Sequence, residues 1–181
     1  QIRNRLDLSS GGLDLLGANL DTHQARQGER LYLTLFWSAR ATDLPEYVVK
    51  LQIGDRVLYQ DNPVHGTYAT SQWGTGEIVA DRYDLRLPLD IPPGEDTLTL
   101  ELLSPTHGLE PTLSVKLGTV TIKAVQRTSD APPIAHPLTA TLGNSIELLG
   151  YDLFPSILSP GDTVNLTLYW QALAETPEDY T

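Results

Sequence analysis

The 181-residue chain has no cysteine, which excludes a disulfide framework, a thiol nucleophile and any thiolate metal site. The compartment stays open on that ground, because oxidising environments permit disulfides without requiring them. Methionine is absent too, including at position 1, and the chain is expected to be a segment of a longer protein. No apolar run approaches the roughly 18 residues that span a bilayer, and no signal-peptide pattern opens the sequence. Basic residues are scarce: 12 Lys and Arg against 23 Asp and Glu leave a net charge of −11 and a pI near 4.6. Such a surface repels phosphate backbones and anionic headgroups, so no nucleic-acid partner is expected. Helical periodicity is missing as well; no window repeats apolar residues at i, i+3, i+4 and i+7.

What the chain does carry is a long internal repeat. Leu13 to Trp37 (LDLLGANLDTHQARQGERLYLTLFW) recurs without a gap as Ile146 to Trp170 (IELLGYDLFPSILSPGDTVNLTLYW). Leu15/Leu148, Gly17/Gly150, Leu20/Leu153, Gly28/Gly161, Leu33/Leu166, Leu35/Leu168 and Trp37/Trp170 match, and the register persists to Tyr47/Tyr180. A period this long marks a whole domain rather than a solenoid unit of about 20–50 residues. The organisation read from it is a complete module over residues 1–125, a Pro-rich linker over 126–137, and the opening strands of a second module over 138–181.

Within the repeat, Leu31, Leu33, Leu35 and Trp37 alternate with Tyr32, Thr34 and Phe36, the period of a strand with one dry face. Trp37 and Trp170 are both expected in the core. Arg26-Gln27-Gly28-Glu29 and Ser159-Pro160-Gly161-Asp162 read as turns with glycine at a positive-φ position. Gly17 and Gly150 mark a bulge or a close backbone approach. Tyr47–Ile53 and Val57–Tyr59 form a hairpin across Gly54-Asp55-Arg56. Glu77–Leu89 alternates with a shift expected near Asp84, and Thr97–Leu103 and Val115–Val125 complete the first module. The fold class is all-β: a two-sheet antiparallel β-sandwich, immunoglobulin- or fibronectin-like, with a truncated second copy.

Three stretches together resemble a known module. They are LLGYDL (148–153) with PGDTVNLTLYWQAL (160–173), the Tyr68–Glu77 segment YATSQWGTGE, and Asp81–Pro88 (DRYDLRLP) followed by Pro92-Pro93-Gly94. The set resembles a β-sandwich module of large bacterial envelope proteins, similar to those found, often in tandem, C-terminal to multi-pass regions related to glycosyltransferases. In the first copy Ala18 stands where the second has Tyr151. The resemblance implies an extracytoplasmic location, in the cell envelope or secreted, within a longer, membrane-attached protein. It brings no catalytic residues.

Chemistry-bearing motifs are few. His23, His65, His107 and His136 make no HxH, HxxxH or HExxH pattern, so no metal or cofactor is expected, and His23 and His107 are read as exposed loop residues. No GxSxG elbow or phosphate loop occurs, and the chain is not expected to be an enzyme. The carboxylates form no recognisable acid/base pair; Asp61 with Asn62, or Asp81 with Asp84, is the sort of pair that could hold calcium, without the spacing of a known loop. The residues most suited to a ligand are Tyr68, Trp73 and His65, in the long polar loop between strands. An exposed Trp73 would stack on a sugar; a Trp73 folded inward would cap the core. The expected function is a non-catalytic extracytoplasmic spacer or interaction module of a larger protein, whose partners are the other domains of that protein. The alternative is a carbohydrate-binding module that takes polysaccharide through the loop aromatics. Residues 138–181, with an apolar face and no second sheet, are expected to pair with the first module or to form a homodimer.

Overall fold

A computed structural model describes residues 1–105, 108, 110–125, 130–157 and 159–174. The described part of the chain is all-β and divides into two compact units, Gln1–Val125 and Gln126–Thr181. No helix among the described residues is long and apolar enough to cross a membrane.

Among its described residues unit 1 holds nine strands: β1 (Asn4–Ser10), β2 (Leu13–Leu20), β3 (Gln24–Arg26), β4 (Arg30–Ala39), β5 (Val48–Ile53), β6 (Arg56–Asp61), β7 (Ile78–Arg86), β8 (Gly94–Ser104) and β9 (Glu110–Lys123). They form a four-stranded sheet in the order β1-β2-β4-β7 and a five-stranded sheet in the order β3-β9-β8-β5-β6. All pairings are antiparallel except β3 with β9. The period-two pattern places Leu31, Leu33, Leu35 and Trp37 on the inner face of β4, where each is at most 1% exposed. Leu51, Ile53, Leu98, Leu100 and Leu102 of the other sheet join the same buried cluster.

β5 and β6 pair as the expected hairpin. The irregularity expected near Asp84 is absent. β7 alternates exposed and buried without interruption, in unbroken register with β4 from Arg30↔Arg86 to Ser38↔Ile78. Asp81 occupies an inward position without breaking the period, because its side chain finds partners inside.

Unit 2 holds β10 (His136–Leu142), β11 (Ile146–Phe154) and β12 (Asn165–Ala172), in that order in one antiparallel sheet. The pairing of β11 with β12 copies that of β2 with β4: Leu15↔Trp37 and Leu148↔Trp170, then a register shift, then Gly17↔Phe36 and Gly150↔Tyr169. The copy extends one strand further back than the sequence match. β10 lies on β11 as β1 lies on β2, with His136↔Tyr151 matching Asn4↔Ala18. The hairpin between them spans residues 143–145 instead of residues 11 and 12, and that one-residue difference hides the repeat from a gapless comparison.

The paired glycines explain why the trio folds alike twice. A Cβ on Gly17 would fall 2.3 Å from the Asn4 carbonyl oxygen, and one on Gly150 would fall 2.4 Å from that of His136. The outer strand crosses directly over each glycine, and any side chain would push it away. At the turns before β4 and β12, Gly28 and Gly161 take φ of 82° and 96°, and the acid that follows each accepts a backbone N–H: Arg26 to Glu29, and Ser159 to Asp162, both at 2.7 Å.

One expectation fails in unit 2. Trp37 is fully buried, whereas Trp170, at the same register position, is 50% exposed. Strand register decides which face a residue occupies; only a covering layer makes that face a core. Among the described residues unit 2 has a single sheet.

Candidate functional site

The loop between β6 and β7 carries Tyr68, Trp73 and His65. It is built of two short 3-10 turns, Pro63–Gly66 and Thr70–Gln72. Val64 and His65 both have positive φ (53° and 52°), an unfavourable region for a β-branched residue, so surrounding contacts hold the backbone there.

The structure separates the three side chains by role. Trp73 is 1% exposed: its ring lies in the core and its Nε1 donates to the Tyr68 carbonyl at 3.2 Å. It offers no face for a sugar. Inward folding is the reading of Trp73 that the geometry realises, because a large ring gains more by covering the open end of a leucine core than by standing in water. Tyr68 is half-buried, its ring centroid 6.2 Å from that of Trp73, and its hydroxyl donates to Glu77 Oε2 at 2.8 Å. That bond holds the Tyr68 proton and raises the hydroxyl's pKa. The same Glu77 oxygen accepts the Gly74 N–H at 2.9 Å, closing the turn that enters β7. His65 is exposed at its edge but packs against Tyr59 and Tyr83, centroids 5.3 and 5.6 Å away. Its Nε2 lies 2.8 Å from the Arg82 carbonyl oxygen, which can only accept, so Nε2 carries the proton.

The remaining motif residues are tied down in the same way. The Thr70 hydroxyl donates to the Pro45 carbonyl and accepts the Tyr47 N–H, Ser71 donates to Glu46, and the Gly76 N–H reaches the Ala39 carbonyl at 2.7 Å. The Tyr47 hydroxyl donates to the Gly11 carbonyl at 2.7 Å. Beneath the loop lies the chain's one fully buried carboxylate among the described residues, Asp81. Its Oδ2 accepts from the Tyr83 hydroxyl, while Oδ1 and the Trp37 Nε1 are buried without a hydrogen bond of normal geometry. Burial pushes the Asp81 carboxyl up, against the opposing pull of Tyr83, the Val64 amide, His65 and Trp37. The same burial, with the charges of Asp61 and Asp81, pushes Tyr59 up to about 12. Asp84 points outward to an ion pair with Arg30, so Asp81 and Asp84 lie on opposite faces and cannot share a cation. No group of three or more His, Asp or Glu side chains among the described residues could hold a metal. His107 lies outside the described residues.

A second site was not legible in the sequence. At the start of unit 1 an open cleft of about 440 Å³ is lined by Arg3, Asn19, Asp21 and His23 over Leu33 and Leu117. Asn19 is committed to the backbone, accepting from the Arg3 N–H at 2.6 Å and donating to the Gln1 carbonyl at 2.9 Å. Asp21 accepts the Tyr32 N–H, and His23 Nδ1 lies 3.1 Å from the Thr119 carbonyl. The Arg3 guanidinium forms no hydrogen bond or ion pair among the described residues, leaving a cation at the rim of an apolar floor. The lining of the cleft comes from four separate stretches of chain, so no local motif announces it.

No protein-family model matches the sequence, and no curated protein matches it. Among solved structures, the chain is similar to one titled "Crystal structure of the C-terminal domain of wzt". The likeness has a TM-score of 0.44 and 11% sequence identity, and covers 78% of this chain and 93% of that one.

Proposed function

We propose that the chain is a non-catalytic β-sandwich spacer or interaction module of a larger, membrane-attached protein, standing outside the cytoplasm at the cell envelope. The reading rests first on Trp73. The loop best placed to present a ligand surface is instead spent on closing the core: Trp73 is buried, and Tyr68, Thr70, Ser71 and Glu77 each have a structural partner. A loop stitched at this many points stiffens the end of the module, as a spacer requires.

Strand order supports an immunoglobulin-like sandwich. β2, β4 and β7 make one sheet and β9, β8, β5 and β6 the other, with β3 crossing over to run parallel to β9. A chain whose first strand divides between the two sheets in this manner, followed by Greek-key connections, matches that architecture, with β1 added at one edge. The tandem copy of β1-β2-β4 as β10-β11-β12 supports a serial array, in which neighbouring domains of the same protein are the partners.

The Arg3 cleft favours a second reading, carbohydrate binding, with the sugar at the cleft rather than on Trp73. A free guanidinium beside imidazole and leucine side chains suits a carboxylated sugar unit. The full chain on an array of neutral and acidic glycans separates the two. Silence throughout supports the spacer. Binding that is lost in Arg3→Ala and kept in Trp73→Phe supports the cleft, and binding lost only in Tyr68→Phe returns the site to the loop.

A further inference from the structure

We propose that the outward face of β4 and β7 in unit 1 binds a carboxylated polysaccharide, laid across Tyr32 and the arginines beside it. The proposal goes beyond the spacer reading and names a site separate from the Arg3 cleft.

The two sheets of unit 1 close their own core, with Leu33 and Leu35 of β4 and Tyr83 and Leu85 of β7 turned into it. The alternate residues of both strands therefore face outward, away from a core that is already covered. Strand register sets those residues side by side: Arg30 against Arg86, Tyr32 against Asp84, Thr34 against Arg82 and Phe36 against Ala80. Tyr32 is 55% exposed in the middle of the patch.

The charge of this patch runs against that of the chain. Arg30, Arg82 and Arg86 surround the single carboxylate of Asp84, in a protein with 12 basic and 23 acidic residues. Arg30 is ion-paired to Asp84, whereas the Arg82 and Arg86 guanidinium groups form no ion pair or hydrogen bond among the described residues. Arg86 also stands directly opposite Arg30, and like charges so placed destabilise a sheet. The architecture does not ask for these cations. The second copy repeats the strand pairing with Thr163 where Arg30 stands, and with Pro137 and Leu173 in place of Arg5 and Arg40. A repulsive pair that the fold does not need fits an anion supplied from outside.

The patch also selects which anion. Arg82 and Arg86 stand about 13 Å apart along β7, a spacing for a chain with repeating carboxylates rather than for one small ion. Each guanidinium can hold a carboxylate through two parallel hydrogen bonds. Between them the Tyr32 ring offers a flat apolar surface with a hydroxyl at its tip, against which a sugar ring can lie. Breadth excludes the larger anions. A membrane or an acidic protein meets the whole of a chain of net charge −11, while a single thin polymer feels mainly the charges within a Debye length of about 8 Å. An acidic peptide would join a sheet at its edge through main-chain hydrogen bonds, which the face of a sheet does not offer.

Calorimetric titration of the full chain with oligomers of polygalacturonate and of alginate at low ionic strength tests the site. Saturable binding is expected that weakens as salt is raised and is absent for methyl-esterified polygalacturonate. Arg82→Gln combined with Arg86→Gln should weaken binding by about tenfold or more, and Tyr32→Ala should weaken it as well. Lys116→Gln combined with Lys123→Gln changes the net charge equally, at exposed positions of β9 in the other sheet, and should leave binding unchanged. Far-UV circular dichroism of each variant should match the parent. If neither oligomer binds, or binding survives loss of both arginines, the proposal is overturned. Equal losses in the arginine and lysine pairs would reduce the effect to net charge, and a loss confined to Arg3→Ala would move the site to the cleft. Equal affinity for polyglutamate or a single-stranded oligonucleotide would show that the face reads charge alone, and the assignment to a polysaccharide would fall.

Discussion

The chain contains one three-stranded motif twice, and the two copies have opposite surroundings. β1-β2-β4 and β10-β11-β12 share strand order, hairpin pairing, the bulge at the central glycine, the outer-strand crossing over that glycine, and the acid-capped turn before the last strand. Even the backbone clasp recurs: Asn19 Oδ1 accepts the Arg3 N–H in one copy, and Asp152 Oδ1 the Ala135 N–H in the other, at 2.6 and 2.7 Å. Yet the inner face of the first is dry and that of the second is half-exposed. Local geometry is therefore set by the trio's own residues, turn, bulge and clasp. The layer above it decides whether that geometry becomes a core.

The widest test of this contrast is the tryptophan pair. Trp37→Ala should cost unit 1 about 3–5 kcal/mol, the usual range for emptying a packed aromatic site. Trp170→Ala should fall within about 0.5 kcal/mol of the parent, as exposed substitutions do. Urea titration followed by far-UV circular dichroism measures both, with each unit's transition fitted separately because two compact units need not unfold as one. Equal costs would mean that the two faces are equally covered. Next in size come the glycines, where the copies should agree. Gly17→Ala and Gly150→Ala each drive a Cβ into a crossing carbonyl, and each should cost about 1–3 kcal/mol. A tolerated Gly150→Ala would show that β10 does not lie on β11 as β1 lies on β2.

Much of the trio was legible in the sequence because its determinants are local. Period two gave the faces of β4 and β12, Gly28 and Gly161 gave the turns, and Gly17 and Gly150 gave the close approach. β1 and β10 were not legible. β1 has only Leu6 and Leu8 to mark an inner face, its alternation is broken by a register shift where Asp7 turns to φ 49°, and β10 opens on a proline-bearing stretch that reads as linker. The exposure of Trp170 was illegible for a different reason, since burial depends on what lies above a strand. The loop was half legible. Its aromatics stood out, but the partners that tie the loop down, Glu77 for Tyr68, Pro45 for Thr70 and Glu46 for Ser71, are settled only by the fold. The cleft at Arg3 drew no attention because Arg3, Asn19 and Leu117 meet only in three dimensions.

The smallest effect sharpens the comparison through pH, because among the described residues each unit holds one perturbed aspartate and the two are perturbed in opposite senses. Asp81 is raised by burial above its ordinary value of 3.8. Its native carboxyl therefore holds a proton that the unfolded chain has already released. The stability it contributes is full below pH 3.8 and is lost as pH rises through the raised value. Asp152 is lowered, first by the Ala135 N–H and then by the Tyr169 hydroxyl, so its contribution is full above 3.8 and is lost as pH falls through the lowered value. Unit 1 should thus lose part of its stability on going from acid towards neutrality, while unit 2 should lose part on going further into acid. Asp81→Asn should flatten the first slope, and Asp152→Asn, which restores the residue type of Asn19, should flatten the second. Each variant should leave the other unit's slope unchanged. Trp37 and Trp73 emission follows unit 1 and Trp170 quenching follows unit 2, so one acid titration reads both. Parallel slopes would show that the titrating group of one unit has been misassigned, and Asp81, whose Oδ1 lacks a firm partner, would be the one to reconsider.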